Sequence, residues 1–319
     1  MDVAVLGAGP VGRQIARVCA RAGHDVALQD EDANLVMDAV DDVERGLDEA
    51  LAADSFDATP DDASLDSLDG TTGLEAAVGD AAVVVETGGG DFETGGGDFE
   101  TGGGDVSAIR ERLAAAEELT DRDTLIGVGS GPISVTAAAA GLQHPDRAVG
   151  VHFRDPLESP LVEVVVADQT ARETAESAVD FVNGLDRHPI LVADAPGEAA
   201  TRLALAQELE AMRLVEAGVA GVEAADDALT EGYGVPVGPL ERADRAGLDD
   251  RLSTLERLAG DLGPRFEPPA ILRDLVRSGH TGLAGGEGFY VWENDEPVES
   301  TLPAPDLAGR TPDPTDPGR

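Results

Sequence analysis

The sequence predicts a doubly wound α/β domain with a mainly parallel sheet, followed by an all-α domain. Three observations predict it: a glycine-rich turn directly after an N-terminal apolar strand, alternating short apolar strands and helical stretches as far as residue 192, and helical periodicity beyond. At 319 residues the chain is long enough for two cores.

The first strand, Val3 to Leu6, runs straight into Gly7-Ala8-Gly9-Pro10-Val11-Gly12 and a helix that carries Val11, Ile15 and Val18 inward. A second strand, Val26 to Leu28, follows the Gly23-His24 turn and ends at Asp30. This is the start of a Rossmann-type βαβ unit. Each glycine has its own task there: Gly7 makes the tight turn, Gly9 lets a pyrophosphate approach the backbone, and Gly12 permits close helix-to-strand packing. Pro10 and Val11 open the helix, whose N-terminus faces the phosphates. Asp30, at the end of the second strand, accepts the ribose hydroxyls and repels a 2′-phosphate, so the expected cofactor is NAD. An exposed acidic residue among Asp30, Glu31 and Asp32 is the plainer alternative for that position.

Further strands are expected at Ala82 to Val85, Leu125 to Val128, Val149 to Phe153, Leu161 to Val166 and Ile190 to Val192, with a helix over Ile109 to Leu119. After Asp194-Ala195-Pro196-Gly197 the pattern turns helical, with Leu205, Leu209, Met212 and Leu214 in one amphipathic segment. The expected division is a nucleotide-binding domain over 1–192, a helical domain over 193–294 and a disordered acidic, proline-rich tail over 295–319. Residues 86–105 are a tandem Glu-Thr-Gly-Gly-Gly-Asp-Phe repeat, too short and too polar for a solenoid unit. A flexible loop is the simplest reading, and a Ca2+-binding array the functional alternative.

Acidic residues outnumber basic ones 64 to 22, giving a formal net charge of −42, and every basic residue is Arg. Such a chain repels itself in dilute buffer, whereas at molar salt the Debye length falls to about 3 Å. The composition is that of a protein working in a salt-rich cytoplasm. It also argues against nucleic acid or an anionic membrane as partner, because no basic stripe exists to meet phosphates. No signal peptide and no apolar run of 18 residues is evident, so a cytoplasmic location is expected. The single Cys19 falls on the apolar side of the first helix, as core filler.

Val151-His152-Phe153-Arg154-Asp155-Pro156, followed by Leu161-Val162-Glu163-Val164-Val165, puts a His on one strand and a Glu on the next. Neighbouring strands can bring the two together as a general base and the carboxylate that orients it. These segments resemble the signature of the 3-hydroxyacyl-CoA dehydrogenase family, His-Phe-Phe-Asn-Pro followed by Leu-Val-Glu-Val. The resemblance extends through Thr71-Thr72-Gly73-Leu74-Glu75, Asp194-Ala195-Pro196-Gly197, Gly238-Pro239-Leu240-Glu241, Gly247-Leu248-Asp249 and Gly288-Phe289-Tyr290. It implies that His152 takes the proton of a 3-hydroxyl while hydride leaves the same carbon for NAD, with Glu163 holding the ring. It also implies a homodimer formed through the helical domain.

The departures lie near the same residues. Asp155 replaces the family's Asn, Val128-Gly129-Ser130-Gly131-Pro132 replaces Ser-Asn-Thr-Ser-Ser, and Thr201 stands where the junction segment has Asn. Ser130, Asp155 and Thr201 are therefore the candidate substrate-binding residues. The absence of lysine is a poor match for the phosphates of coenzyme A. The alternative is a divergent NAD-binding member that acts on a 3-hydroxy acid without coenzyme A, or that lacks efficient catalysis.

Overall fold

The structure is a computed structural model that describes residues 1–52, 67–88, 106–129, 133–157 and 159–305. Ser130, Gly131, most of the glycine repeat and the end of the expected tail lie outside these residues. The chain divides into two compact units, Met1–Ala200 and Thr201–Arg319.

The first unit begins with β1 (Asp2–Leu6), α1 (Pro10–Arg21), β2 (Asp25–Gln29), α2 (Ala33–Ala52), β3 (Leu68–Thr71), α3 (Leu74–Val78) and β4 (Val83–Glu86). It continues with α4 (Val106–Leu119), β5 (Leu125–Val128), α5 (Val135–Ala139), β6 (Ala148–Phe153), β7 (Leu161–Val166), α6 (Arg172–Gly184) and β8 (His188–Ala193). The eight strands form one sheet in the order β3-β2-β1-β4-β5-β6-β7-β8. Every pairing is parallel except β6 with β7. That order reverses direction at β1 and β4, the switch point at which open α/β sheets bind ligands.

Strand periodicity explains the two cores. Val3 and Val5 of β1 pack with Ile15, Val18 and Cys19 of α1 on one face. Ala4 and Leu6 meet Ile109 and Leu113 of α4 on the other. A residue step of one reverses the face, and each fully buried Leu or Ile stabilises the layer by about 1.5–3 kcal/mol. Cys19 is fully buried, and burial pushes its thiol up to about 12, against the weaker pull of Arg187. It is a packing residue, as expected.

β3 is the strand the sequence hides. Of Leu68-Asp69-Gly70-Thr71 only Leu68 is buried, so apolar alternation is absent. The strand pairs with β2 at the sheet edge, and a Cβ on Gly70 would come within 2.7 Å of both Val36 and Val40. Its glycine makes room for α2.

The second unit holds α7, whose helix Ala200–Glu216 starts at the boundary, then α8 (Val222–Tyr233), α9 (Pro239–Ala246), α10 (Leu248–Leu262) and α11 (Ala270–Arg277). Leu205, Leu209 and Met212 recur at helical spacing and pack with Leu240, Leu255, Leu258 and Phe289. Glu208 is fully buried and ion-paired to both Arg242 and Arg251.

The unit closes with a hairpin, β9 (Tyr290–Glu293) and β10 (Glu296–Ser300), which corrects the expected unpacked tail over its first part. The two turn residues, Asn294 and Asp295, both have positive φ, 54° and 64°. That is the two-residue hairpin geometry in which Asn and Asp are tolerated best. Beyond it, the Thr301 amide donates to Phe289 and Leu302 packs on the helical core, so the chain stays attached through this stretch.

Buried carboxylates explain two of the glycine motifs. Asp226 accepts from the amides of Leu240 and Glu241 and from the Tyr290 hydroxyl. Asp244 accepts from the amides of Phe289 and Tyr290 and from the Trp292 indole. A Cβ at Gly238 would strike Asp226 at 2.3 Å, and one at Gly288 would strike Asp244 at 2.2 Å. Gly238-Pro239-Leu240-Glu241 and Gly288-Phe289-Tyr290 are therefore clamps of the helical fold.

Candidate active site

The glycine turn is fixed from several directions. Gly7 has φ 110°, a conformation open to glycine, and its amide donates to the Gln29 carbonyl at 2.7 Å. The Thr87 hydroxyl, from the end of β4, lies within hydrogen-bond distance of the carbonyls of Leu6 and Gly7. Arg13 Nε donates to the Ala8 carbonyl at 2.9 Å.

Gly9 is the N-cap of α1, with Pro10 in the first turn and no side chain capping the helix. The amides of Val11 and Gly12 thus have no intrahelical partner and point outward at the positive end of the helix dipole. A Cβ on Gly9 would have nothing within 4 Å, whereas one on Gly12 would lie 1.8 Å from the Gly7 carbonyl oxygen. Space left open by the described residues, amides without intrahelical partners and positive potential fit a pyrophosphate.

Asp30 lies at the end of β2, where Oδ2 accepts from the Ala8 amide at 3.0 Å and Oδ1 from the Asp32 amide at 3.2 Å. The carboxylate is thereby held against the turn. Two lone pairs remain for ribose hydroxyls, and its charge would oppose a 2′-phosphate.

These contacts separate the two glycines experimentally. Gly9→Ala is expected to leave thermal stability unchanged and weaken NADH binding at least tenfold. Gly12→Ala is expected to weaken binding and also to cost about 1–3 kcal/mol of stability, because a backbone carbonyl has to move. NADH fluorescence titration and thermal melts check both. Unaltered NADH affinity in Gly9→Ala would show that the pyrophosphate does not lie there.

His152 of β6 and Glu163 of β7 are direct cross-strand partners in the antiparallel pair. Both alternate with Val151, Phe153, Val162 and Val164, which face the core packed on α1 and α6, so both project from the opposite face. Each is buried. The expected pairing differs in one respect: the carboxylate that reaches the ring is Glu198, with Oε1 3.0 Å from Nδ1. Glu163 Oε1 instead accepts from the amides of Ala199 and Ala200, at 2.9 and 3.2 Å. The reason is local. Amides that open a helix lack internal acceptors, and a buried carboxylate beside them is drawn to that end.

The contact with Glu198 is bent, an ion pair more than an aligned hydrogen bond, and Nε2 has no hydrogen-bond partner among the described residues. Burial works against charge on the ring. Glu198, by direct contact and by charge, and then Glu163 and Asp194, by charge, outweigh it and hold the His152 pKa above its ordinary value. Asp194 is itself fixed, its Oδ2 accepting from the Ser134 hydroxyl and the Thr136 amide.

Of the expected substrate residues, Asp155 accepts from the Leu157 amide at 3.1 Å, a turn contact that starts the β6–β7 connection. Thr201 is buried in the first turn of α7. Sequence reasoning missed Glu198. It follows Gly197 (φ 70°) and has φ 39° itself, a left-handed bend that no spacing rule predicts.

A sheet switch point with an open glycine turn, a carboxylate held against that turn and a buried histidine is an arrangement that suits a dinucleotide-dependent oxidoreductase. Residues 2–93 and 104–195 match the family model for the NAD binding domain of 3-hydroxyacyl-CoA dehydrogenase, and residues 197–292 match that for its C-terminal domain. The mitochondrial hydroxyacyl-coenzyme A dehydrogenase of Sus scrofa is 31% identical over 301 residues, 91% of each chain. A 3-hydroxybutyryl-CoA dehydrogenase of Mycobacterium tuberculosis is 30% identical over 297 residues, covering 91% of this chain and 98% of that protein. The crystal structure of an (S)-3-hydroxybutyryl-CoA dehydrogenase from Ralstonia eutropha superposes with a TM-score of 0.80 at 26% identity, covering 92% and 99% of the two chains. The chain belongs to the 3-hydroxyacyl-CoA dehydrogenase family and is an NAD-dependent oxidoreductase. Among the described residues no helix is long and apolar enough to cross a membrane.

Proposed function

We propose that the protein interconverts a short-chain 3-hydroxyacyl-CoA and the corresponding 3-ketoacyl-CoA, with His152 as the proton acceptor in oxidation and the donor in reduction. Support comes from the ring itself: buried, with Nδ1 against a carboxylate and Nε2 without a hydrogen-bond partner among the described residues. In the forward direction the 3-hydroxyl proton moves to Nε2, the C3–H electron pair leaves as hydride and the carbonyl forms. NAD, when bound, supplies the hydride acceptor, and in its reduced form the donor. Carboxylates around the ring favour the imidazolium that this transfer creates. Gly7, Gly9, Pro10, Val11, Gly12 and Asp30 hold the cofactor in this proposal. Ser130 and Thr201 offer hydroxyls to the substrate on the strength of the resemblance alone.

The test is NADH oxidation with acetoacetyl-CoA in molar KCl, where a chain of net charge −42 is screened. Steady consumption is expected. None with the thioester, but consumption with free acetoacetate, would move the substrate to an acid without coenzyme A.

We further propose a cytoplasmic homodimer adapted to high salt. Large apolar side chains are exposed on the second unit, Leu203 at 69% and Tyr233 at 82%, and these favour a partner surface. Sedimentation equilibrium in molar KCl is expected to give twice the mass of one chain. A single-chain mass would remove the dimer.

A further inference from the structure

We propose that Glu198 is a further positioning residue of His152, acting beside Glu163 as an ion-pair partner on the Nδ1 side of the ring and leaving Nε2 to face the reacting hydroxyl. This rests on the proton-transfer role proposed above for that ring. The charged groups facing His152 are Glu163 from β7 and Asp194 and Glu198 from the segment that follows β8. Only Glu198 makes an ion pair with it among the described residues.

The other two carboxylates have partners of their own. Glu163 accepts two amide hydrogen bonds where α7 starts, so its charge is partly offset by the positive end of that helix. Asp194 accepts a hydroxyl and an amide at the start of α5. Glu198 has the ring, and it is largely buried, with 13% of its side chain exposed. Its own backbone is the cost of that placement, since a non-glycine residue at φ 39° is strained. The strain is tolerated where the carboxylate needs to turn back toward β6.

The consequence is a division of labour. Glu198 supplies the charge in direct contact with the ring, while Glu163, its cross-strand partner, adds charge from β7 and secures the chain segment on which Glu198 stands. Removing the Glu198 charge lowers the affinity of His152 for a proton. The ring then stays neutral to lower pH, so the acid limb of kcat/KM for oxidation moves downward, and in reduction the proton donor is lost at a lower pH than before.

The experiment measures this without turnover. Proton NMR titration in molar KCl follows the Cε1 protons of the five histidines, with the His152 signal identified as the one missing in His152→Asn. Glu198→Gln is expected to lower the His152 pKa by about one unit or more, and Glu163→Gln by less. Glu198→Gly removes the same carboxylate while suiting the left-handed backbone. It is expected to fold at least as well and to shift the pKa alike, which separates ring positioning from a role in folding alone. Glu198→Asp is expected to restore part of the shift and part of kcat, with KM for NAD unchanged throughout. An unmoved His152 pKa in both Glu198→Gln and Glu198→Gly would overturn the assignment. If the unaltered protein oxidises no NADH with any substrate but the titration shifts as stated, the proposed function fails and the positioning of the ring stands.

Discussion

Replacement of His152 by Ala is expected to reduce kcat/KM for NADH-dependent reduction of acetoacetyl-CoA by about 10²–10⁴-fold, the usual contribution of a positioned acid–base group. NADH affinity should change little, because the glycine turn and Asp30, proposed to hold the cofactor, follow β1 and β2 while this ring stands on β6. The truncation also leaves Glu198, Glu163 and Asp194 facing the space that the ring filled. Some loss of stability is therefore expected with it. His152→Gln, which keeps the volume and a polar end, should lose turnover to a similar extent while melting closer to the parent. Steady-state rates and melts on both variants check the expectation, and equal turnover in parent and variants would remove the histidine from the chemistry.

Asp244→Ala is expected to be the most damaging single change in the helical unit. Three donors, the amides of Phe289 and Tyr290 and the Trp292 indole, lose their acceptor in a buried site. At roughly 1–3 kcal/mol for each unsatisfied group, offset by removal of a buried charge, the net loss is on the order of 3 kcal/mol or more. Urea unfolding in molar KCl measures it, and a change below about 1 kcal/mol would mean that the clamp contributes little. The same carboxyl has a pH signature. Burial raises its pKa from 3.8 to about 6 against three opposing hydrogen bonds. Since the folded value lies above the unfolded one, folding takes up a proton between those limits. This group alone therefore makes the fold less stable as pH rises through that window. A difference titration of Asp244→Asn against the parent isolates the contribution.

Much of this was readable in the residues. The separate tasks of Gly7, Gly9 and Gly12 follow from their spacing between an apolar strand and a helix, with Asp30 at the end of the next strand, and the space at Gly9 beside the blocked position at Gly12 fits that division. His152 and Glu163 could be placed on facing strands because sheet periodicity fixes which residues share a face. What escaped had no periodic signal. β3 is an edge strand with one buried residue, and the hairpin after Gly288 turns at Asn294-Asp295, two residues of positive φ with no glycine to mark the turn. Glu198 escaped for a similar reason. Its role depends on a bend in the backbone, and a bend of that kind leaves no pattern in the neighbouring residues. The clamps around Asp226 and Asp244 were visible as motifs but not as clamps, because their function is a set of contacts between distant segments.

The turn after β1 is tied to Gln29, Asp30, Arg13 and Thr87 by the protein's own backbone and side-chain contacts. In the proposed role of this turn, a nucleotide would meet a receptor held in shape by those contacts, with little ordering entropy lost on capture. Affinity should then respond mainly to ionic strength and to the charge of the incoming molecule. Backbone amide exchange at Gly7 and Ala8 should be nearly as slow in the free protein as in its complex with NADH.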